Sequence, residues 1–168
     1  MKKLLFIITI LSALTFNAQN KVEISIQQDL RLLTVGDEKG NDPITFNVLS
    51  RLEVPVFNLK KNHIPAYLSI EYADLKGRNF QRYALGTGYV VNKLCGKFGG
   101  GAYLDFGKIY RESEGFYSFS LSGELTYKIS ERVKLICSHQ LTQRNDLKTL
   151  YNSQEFVISG FVGVKFGL

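Results

Sequence analysis

Residues 155–168 read EFVISGFVGVKFGL, and this closing stretch decides the fold class. Phe156, Ile158, Gly160, Val162, Val164, Phe166 and Leu168 are apolar or glycine, whereas Glu155, Val157, Ser159, Phe161, Gly163, Lys165 and Gly167 form a mixed, partly charged set. Successive side chains of a strand point to opposite faces, so a period of two held to residue 168 specifies a strand with one uniformly apolar face.

Toward the amino terminus the same alternation recurs in short segments separated by turn residues, as strands at regular spacing do. Residues 22–33 set Val22, Ile24, Ile26, Leu30 and Leu32 on one side, interrupted by Gln28. Residues 44–57 set Phe46, Val48, Leu52, Val54 and Val56 against Asn47, Arg51 and Glu53. Pro55 lacks an N–H and belongs at a strand end or a bulge. Residues 65–73 oppose Ala66, Leu68, Ile70 and Tyr72 to Tyr67, Ser69 and Glu71, and residues 80–91 oppose Tyr83, Leu85, Tyr89 and Val91 to Arg82, Gly86 and Gly88. Residues 97–107 oppose Phe98, Gly100, Ala102, Leu104 and Phe106 to Lys97, Gly99, Gly101, Tyr103 and Asp105. Residues 116–129 alternate most regularly, with Tyr117, Phe119, Leu121, Gly123, Leu125, Tyr127 and Ile129 against Ser118, Ser120, Ser122, Glu124, Thr126 and Lys128. Residues 132–142 carry Val133, Leu135, Cys137, His139 and Leu141 on the apolar side. With the closing strand, these make an even number, as a single-chain membrane barrel requires.

The connections alternate in length. Residues 34–43, 74–79, 108–115 and 143–154 are longer and polar, while 58–64, 92–96 and 130–131 are mostly shorter, although 58–64 does not read as a tight turn. Long loops at one end and short turns at the other follow the outer-membrane pattern, with the short ends periplasmic. Phe46, Tyr72, Tyr83, Phe106, Tyr117 and Phe156 fall near the long-loop end of the apolar faces, and Tyr89, Phe98, Tyr127 and Phe166 near the other. Two such belts match interfacial aromatic girdles.

The positions between the apolar ones carry charges of both signs: Glu23, Arg51, Glu53, Glu71, Arg82, Lys97, Asp105, Glu124, Lys128 and Lys165, with glycine and serine among them. Eight strands enclose a space just wide enough for side chains to fill. Paired charges beside small residues suit that lumen. The expectation is an all-β, eight-stranded antiparallel up-and-down transmembrane β-barrel, apolar outside and polar inside. A soluble periplasmic barrel holding an apolar ligand shows the same period, but requires Phe119, Leu121 and Leu125 to face inward.

At the other end, Lys2 and Lys3 precede the apolar run 4–14, and Asn17-Ala18 precede Gln19. This reads as a secretory signal peptide over residues 1–18. Its apolar run is short of the roughly 20 residues of a spanning helix. Residues 19–168 then form a single barrel domain. Lys+Arg 21 against Asp+Glu 15 give a formal net charge of +6, which falls to +4 without Lys2 and Lys3. The basic residues are spread along the chain, so no nucleic-acid partner is expected. Cys95 falls at a turn and Cys137 on an apolar face of a non-neighbouring strand, which predicts unpaired thiols.

On the signal, the hairpin alternation and the closing Phe161-Val162-Gly163-Val164-Lys165-Phe166-Gly167-Leu168, the chain resembles the small eight-stranded outer-membrane barrels, such as the transmembrane domain of outer membrane protein A and outer membrane protein X. It departs from them in ending on Leu168 rather than phenylalanine or tryptophan. The resemblance implies a filled lumen, a role in envelope integrity or surface contact, and no fixed chemistry.

Motifs that carry chemistry are sparse. Gly96-Lys97-Phe98-Gly99-Gly100-Gly101 lacks the spacing of a phosphate loop and reads as close backbone packing within a strand. Asp37, Glu38, Asn41 and Asp42 lack the ordered spacing of a calcium loop. No GxSxG elbow occurs, and His63 and His139 show no zinc-like spacing with the cysteines. His139, near the long-loop end of an apolar face, suggests an alternative. Lipid A deacylases are eight-stranded barrels carrying a His-x-Ser pair, but Leu141 stands where that serine belongs. Ser138, Thr142 and Glu155 are the remaining candidates for a nucleophile or an orienting acid.

The sequence thus predicts a monomer in the outer membrane of a Gram-negative bacterium, with no catalytic, cofactor-binding or metal-binding residues assigned. Its partners would be outer-membrane lipid and an external ligand or protein at loops 34–43, 74–79, 108–115 and 143–154.

Overall fold

The structure, a computed structural model, describes residues 22–37, 40–76 and 79–168. The signal-peptide reading of residues 1–18 lies outside the described residues. Eight strands follow one another: β1 (Glu23–Asp29), β2 (Asn47–Leu59), β3 (Asn62–Ala73), β4 (Phe80–Cys95), β5 (Phe98–Arg111), β6 (Glu114–Lys128), β7 (Val133–Gln143) and β8 (Phe156–Gly167). Each pairs antiparallel with the next, and β1 pairs antiparallel with β8 from Glu23↔Gly167 to Asp29↔Phe161. The sheet is a closed barrel without an unpaired edge.

The faces divide as the alternation requires. Ile26, Leu52, Leu68, Leu85, Leu104, Phe119, Leu121, Leu125, Leu135 and Ile158 are exposed on the outside. Arg51, Glu53, Arg82, Asp105, Glu124 and Lys165 are buried in the lumen. A water-soluble barrel has the opposite arrangement. On β6, Phe119, Leu121 and Leu125 point outward while Ser118, Ser120, Ser122 and Glu124 point inward, so the inverted reading with an apolar interior fails. Aromatic pairs between neighbouring segments mark both belts. Phe46–Tyr72, Tyr83–Tyr110 and Phe106–Tyr117 have ring centroids 6.3, 6.1 and 5.7 Å apart at the long-loop end, and Phe98–Tyr127 are 5.1 Å apart at the other.

Several boundaries differ from the sequence reading. The first apolar segment stops being a strand at Asp29, whose carboxylate accepts a hydrogen bond from the Leu32 N–H at 2.9 Å and caps helix α1 (Leu30–Thr34). Leu32 thereby turns into the interior, 3% exposed. Gln28, the interruption in that apolar face, donates to the Thr45 carbonyl at 2.8 Å and accepts from the Asn47 N–H at 3.3 Å, so it fastens the start of β2.

Residues 58–64 are a tight connection after all. β2 and β3 extend to a turn at Lys60-Lys61, with Lys60 at φ 49°. The expected loop 108–115 is likewise absent. β5 and β6 pair up to Arg111↔Glu114 and leave the turn Glu112-Ser113, with φ 50° and 67°. Positive φ at both central residues suits the twist of a two-residue hairpin, and the missing Asn-Gly signature concealed it. Pro55 sits where the β2–β3 register shifts, between Pro55 and Phe57, as its missing N–H demands. Cys95 and Cys137 are both free and exposed.

Candidate functional site

Two regions gather the polar side chains: the lumen and the mouth at the long-loop end. In the lumen, Arg51 of β2 lies between two tyrosines, its guanidinium carbon 4.3 Å from the Tyr103 ring centroid and 4.9 Å from that of Tyr67. It donates to Glu124 at 3.0 Å and lies 3.6 Å from Glu53. Lys165 of β8 reaches the same two carboxylates, at 2.8 Å from Glu53 and 2.5 Å from Glu124, and donates to the Tyr103 hydroxyl at 3.2 Å. Nearer the mouth, Arg82 pairs with Asp105 and donates to Ser118 Oγ at 3.0 Å, while the Tyr67 hydroxyl donates to Asp105 at 3.0 Å. At the short-turn end, Lys134 meets Glu23 at 2.5 Å.

Strand alternation delivers these groups to one enclosed space, where each charge is tolerable only with an opposite partner. The glycines make room for the rings. A Cβ at Gly86 would stand 2.5 Å from Tyr67 Cζ, and one at Gly88 2.7 Å from Tyr103 Cδ1. The polar cross-section is therefore occupied by side chains.

At the mouth, helix α2 (Asn145–Tyr151), in the segment read as the longest loop, packs against β5 and β6. Asp146, 0% exposed, accepts from Arg111 of β5 at 3.1 Å and from both Nε and Nη2 of Arg144, at 2.9 and 2.8 Å. Arg144 stacks 4.3 Å over the Phe80 ring, and Phe80 packs with Ala73 and Ile109. Burial alone would raise the Asp146 pKa, but the bonds from Arg144 and the charges of Arg144 and Arg111 outweigh it and hold the carboxyl below its ordinary range. Asn152 ends the helix in the left-handed conformation, φ 47°. Glu155, which accepts from Lys148 at 2.7 Å and Gln143 at 2.8 Å, is held low by those bonds.

The other external segments lean on each other. Lys76 pairs with Asp42 at 2.6 Å, and its N–H donates to Asn41 Oδ1 at 2.8 Å. Beside this tie, Val35 and Ile44 are 72% and 81% exposed, and Ile44 has φ 66°, an outlier for a β-branched residue.

His139 faces outward on β7 between Gly123 and Gly160, as its parity requires. Its candidate partners go elsewhere. Ser138 donates to Gln27 at 2.6 Å in the lumen, Thr142 bonds Ser120 at 3.0 Å there, and Glu155 is held by Lys148 and Gln143. Leu141 stays outward beside His139. The structure thus does not assemble these residues around the imidazole. No acidic cluster with metal-ligating geometry occurs among the described residues. Sequence reasoning missed Arg111, Arg144 and Asp146, whose only signal was an acid in the first turn of a short helix within a polar loop.

No protein-family model and no curated protein matches the sequence. Among solved structures, the outer membrane protein Ail of Yersinia pestis in a phospholipid bilayer nanodisc superposes with TM-score 0.54 and 12% identity, over 89% of this chain and 99% of that one. Neisserial surface protein A gives 0.53 and 10%, over 89% and 97%. The crystal structure of Ail, the attachment invasion locus protein, gives 0.52 and 11%, over 88% and 96%. At such identity the likeness concerns the backbone alone: the chain has the fold of the small eight-stranded outer-membrane β-barrels.

Proposed function

We propose that the protein is a monomeric barrel of the Gram-negative outer membrane, exported by the leader read in residues 1–18, that does not conduct and acts structurally or through contacts at its external segments. The observation that carries it is the filled lumen, with the Arg51–Glu124–Lys165 network within and the buried Arg111–Asp146–Arg144 cluster at the mouth. A transport path would need that space open. The apolar exterior and two aromatic belts fit a bilayer, and closure through β1–β8 leaves no edge to recruit a second copy.

Contact is the natural work of loops on a rigid scaffold. The exposed Val35 and the strained, exposed Ile44 are where we place it, together with α2. The attachment role named for Ail is compatible with that placement. A lipid-modifying use of His139 is the weaker reading, since no nucleophile is held beside it.

The test has three parts on the full chain. An unboiled sample of the membrane fraction should migrate faster on a gel than a boiled one. The refolded protein should give no steady conductance across a planar bilayer. With both native cysteines replaced, a cysteine at position 149 should label from outside intact cells, and one at 61 should not. Recovery in the soluble periplasm, or a stable open channel, overturns the proposal.

A further inference from the structure

Among the described residues the short-turn rim carries five exposed cations: Lys60 and Lys61 at the β2–β3 turn, Lys93 and Lys97 at the β4–β5 connection, and Arg132 at the β6–β7 turn. None of the five forms an ion pair among the described residues. Of the acids at this end, Glu131 is taken by Lys128 at 2.6 Å and Glu23 by Lys134 at 2.5 Å. Since the chain from residue 19 carries a net charge of +4, these five account for more than its whole excess. The opposite rim is mixed, with Lys76 on Asp42 and Lys148 on Glu155, and with Asp74, Glu112 and Glu114 exposed beside them.

Each basic turn also bears an exposed apolar neighbour. Leu59 precedes Lys60-Lys61, Leu94 follows Lys93, Phe98 follows Lys97, and Ile129 opens the turn of Arg132, with exposures of 48, 58, 44 and 53%. A lysine or arginine beside a side chain that dips into hydrocarbon is the chemistry of a headgroup layer, where the cation meets phosphate and its neighbour meets acyl chains. A soluble polyanion would use the charges and leave the apolar residues in water.

Resting on the membrane orientation proposed above, we infer that the short-turn rim is a docking surface for anionic phospholipid headgroups of the leaflet it faces. The five cations form a discontinuous collar, and among the described residues the excess of positive charge lies on that one side.

The experiment uses the full chain in phosphatidylcholine bilayers carrying spin-labelled phosphatidylglycerol or spin-labelled phosphatidylcholine, comparing the motionally restricted fraction of each. Phosphatidylglycerol should be preferred, by about fivefold for each cation that engages a headgroup. The preference should shrink toward unity in high salt as the screening length falls to about 3 Å at 1 M. It should fall by part in K60Q/K61Q and in K93Q/K97Q, and nearly vanish when R132Q is added to all four. The gel shift of each variant reports folding separately. Equal restriction of both lipids around a folded, inserted barrel overturns the collar and leaves the membrane reading intact. So does a preference unchanged in the folded variants, or one that soluble polyglutamate displaces. Failure of the unaltered chain to insert overturns the orientation on which the collar rests.

Discussion

Arg111 and Asp146, 35 residues apart, meet at 3.1 Å at the mouth of the barrel, one from the rim of β5 and the other from α2. Arg144 closes on the same carboxylate, so one fully buried acid joins the barrel wall to α2. Asp146→Ala removes the acceptor that both guanidiniums share. The expected loss is about 1–3 kcal/mol for α2, with the barrel intact. Limited proteolysis should cut within residues 144–155 several times faster than in the unaltered chain, while the gel shift persists.

The same carboxylate predicts a pH response. Its folded pKa is depressed, so the folded state binds its proton less readily than the unfolded one. The contribution of the clamp is full above the ordinary aspartate value of about 3.9 and is lost as pH falls through the lower folded value. Hydrogen exchange of the 144–155 amides should accelerate only below about pH 4. In Asp146→Asn that acid step should be missing.

Lys165 holds two lumen carboxylates at once. Lys165→Met leaves Glu53 and Glu124 sharing Arg51 alone, an uncompensated negative charge in a buried space. A loss of about 3–5 kcal/mol is expected in urea unfolding from lipid bilayers. Lys165→Met combined with Glu53→Gln should recover much of it, because the charges balance again.

Leu121 tests the outward face directly. It lies near the middle of β6 and is 50% exposed. Arginine there meets hydrocarbon, and should cost about 2–4 kcal/mol in bilayer unfolding. A similar cost in a protein found soluble would instead place residue 121 in an interior.

Ser113 occupies the second position of the β5–β6 turn at φ 67°. Glycine adopts that region without a Cβ penalty, so Ser113→Gly should stabilise by about 1 kcal/mol, read as a higher urea midpoint. A drop in the midpoint would mean the turn is held by a bond of the serine side chain.

The barrel was legible because each strand meets two solvents of opposite character, and period two records that contrast residue by residue. The outward Phe119, Leu121 and Leu125, the lumen charges, and the bulge at Pro55 all follow from parity and one missing N–H. The turns were less so. Lys60 and Glu112-Ser113 use left-handed backbone without glycine or asparagine, so the tightness of their turns comes from strand pairing on either side.

Alternation along the chain, together with its charge, determined the strand number, the polar lumen and the bare thiols. Which charge pairs with which was decided only by closure. Arg51 and Glu124 lie 73 positions apart, and become partners because the sheet returns to its own first strand. The helix at the mouth is likewise tertiary, since one as short as α2 is marginal by itself and persists because Arg111 and Arg144 hold its buried Asp146.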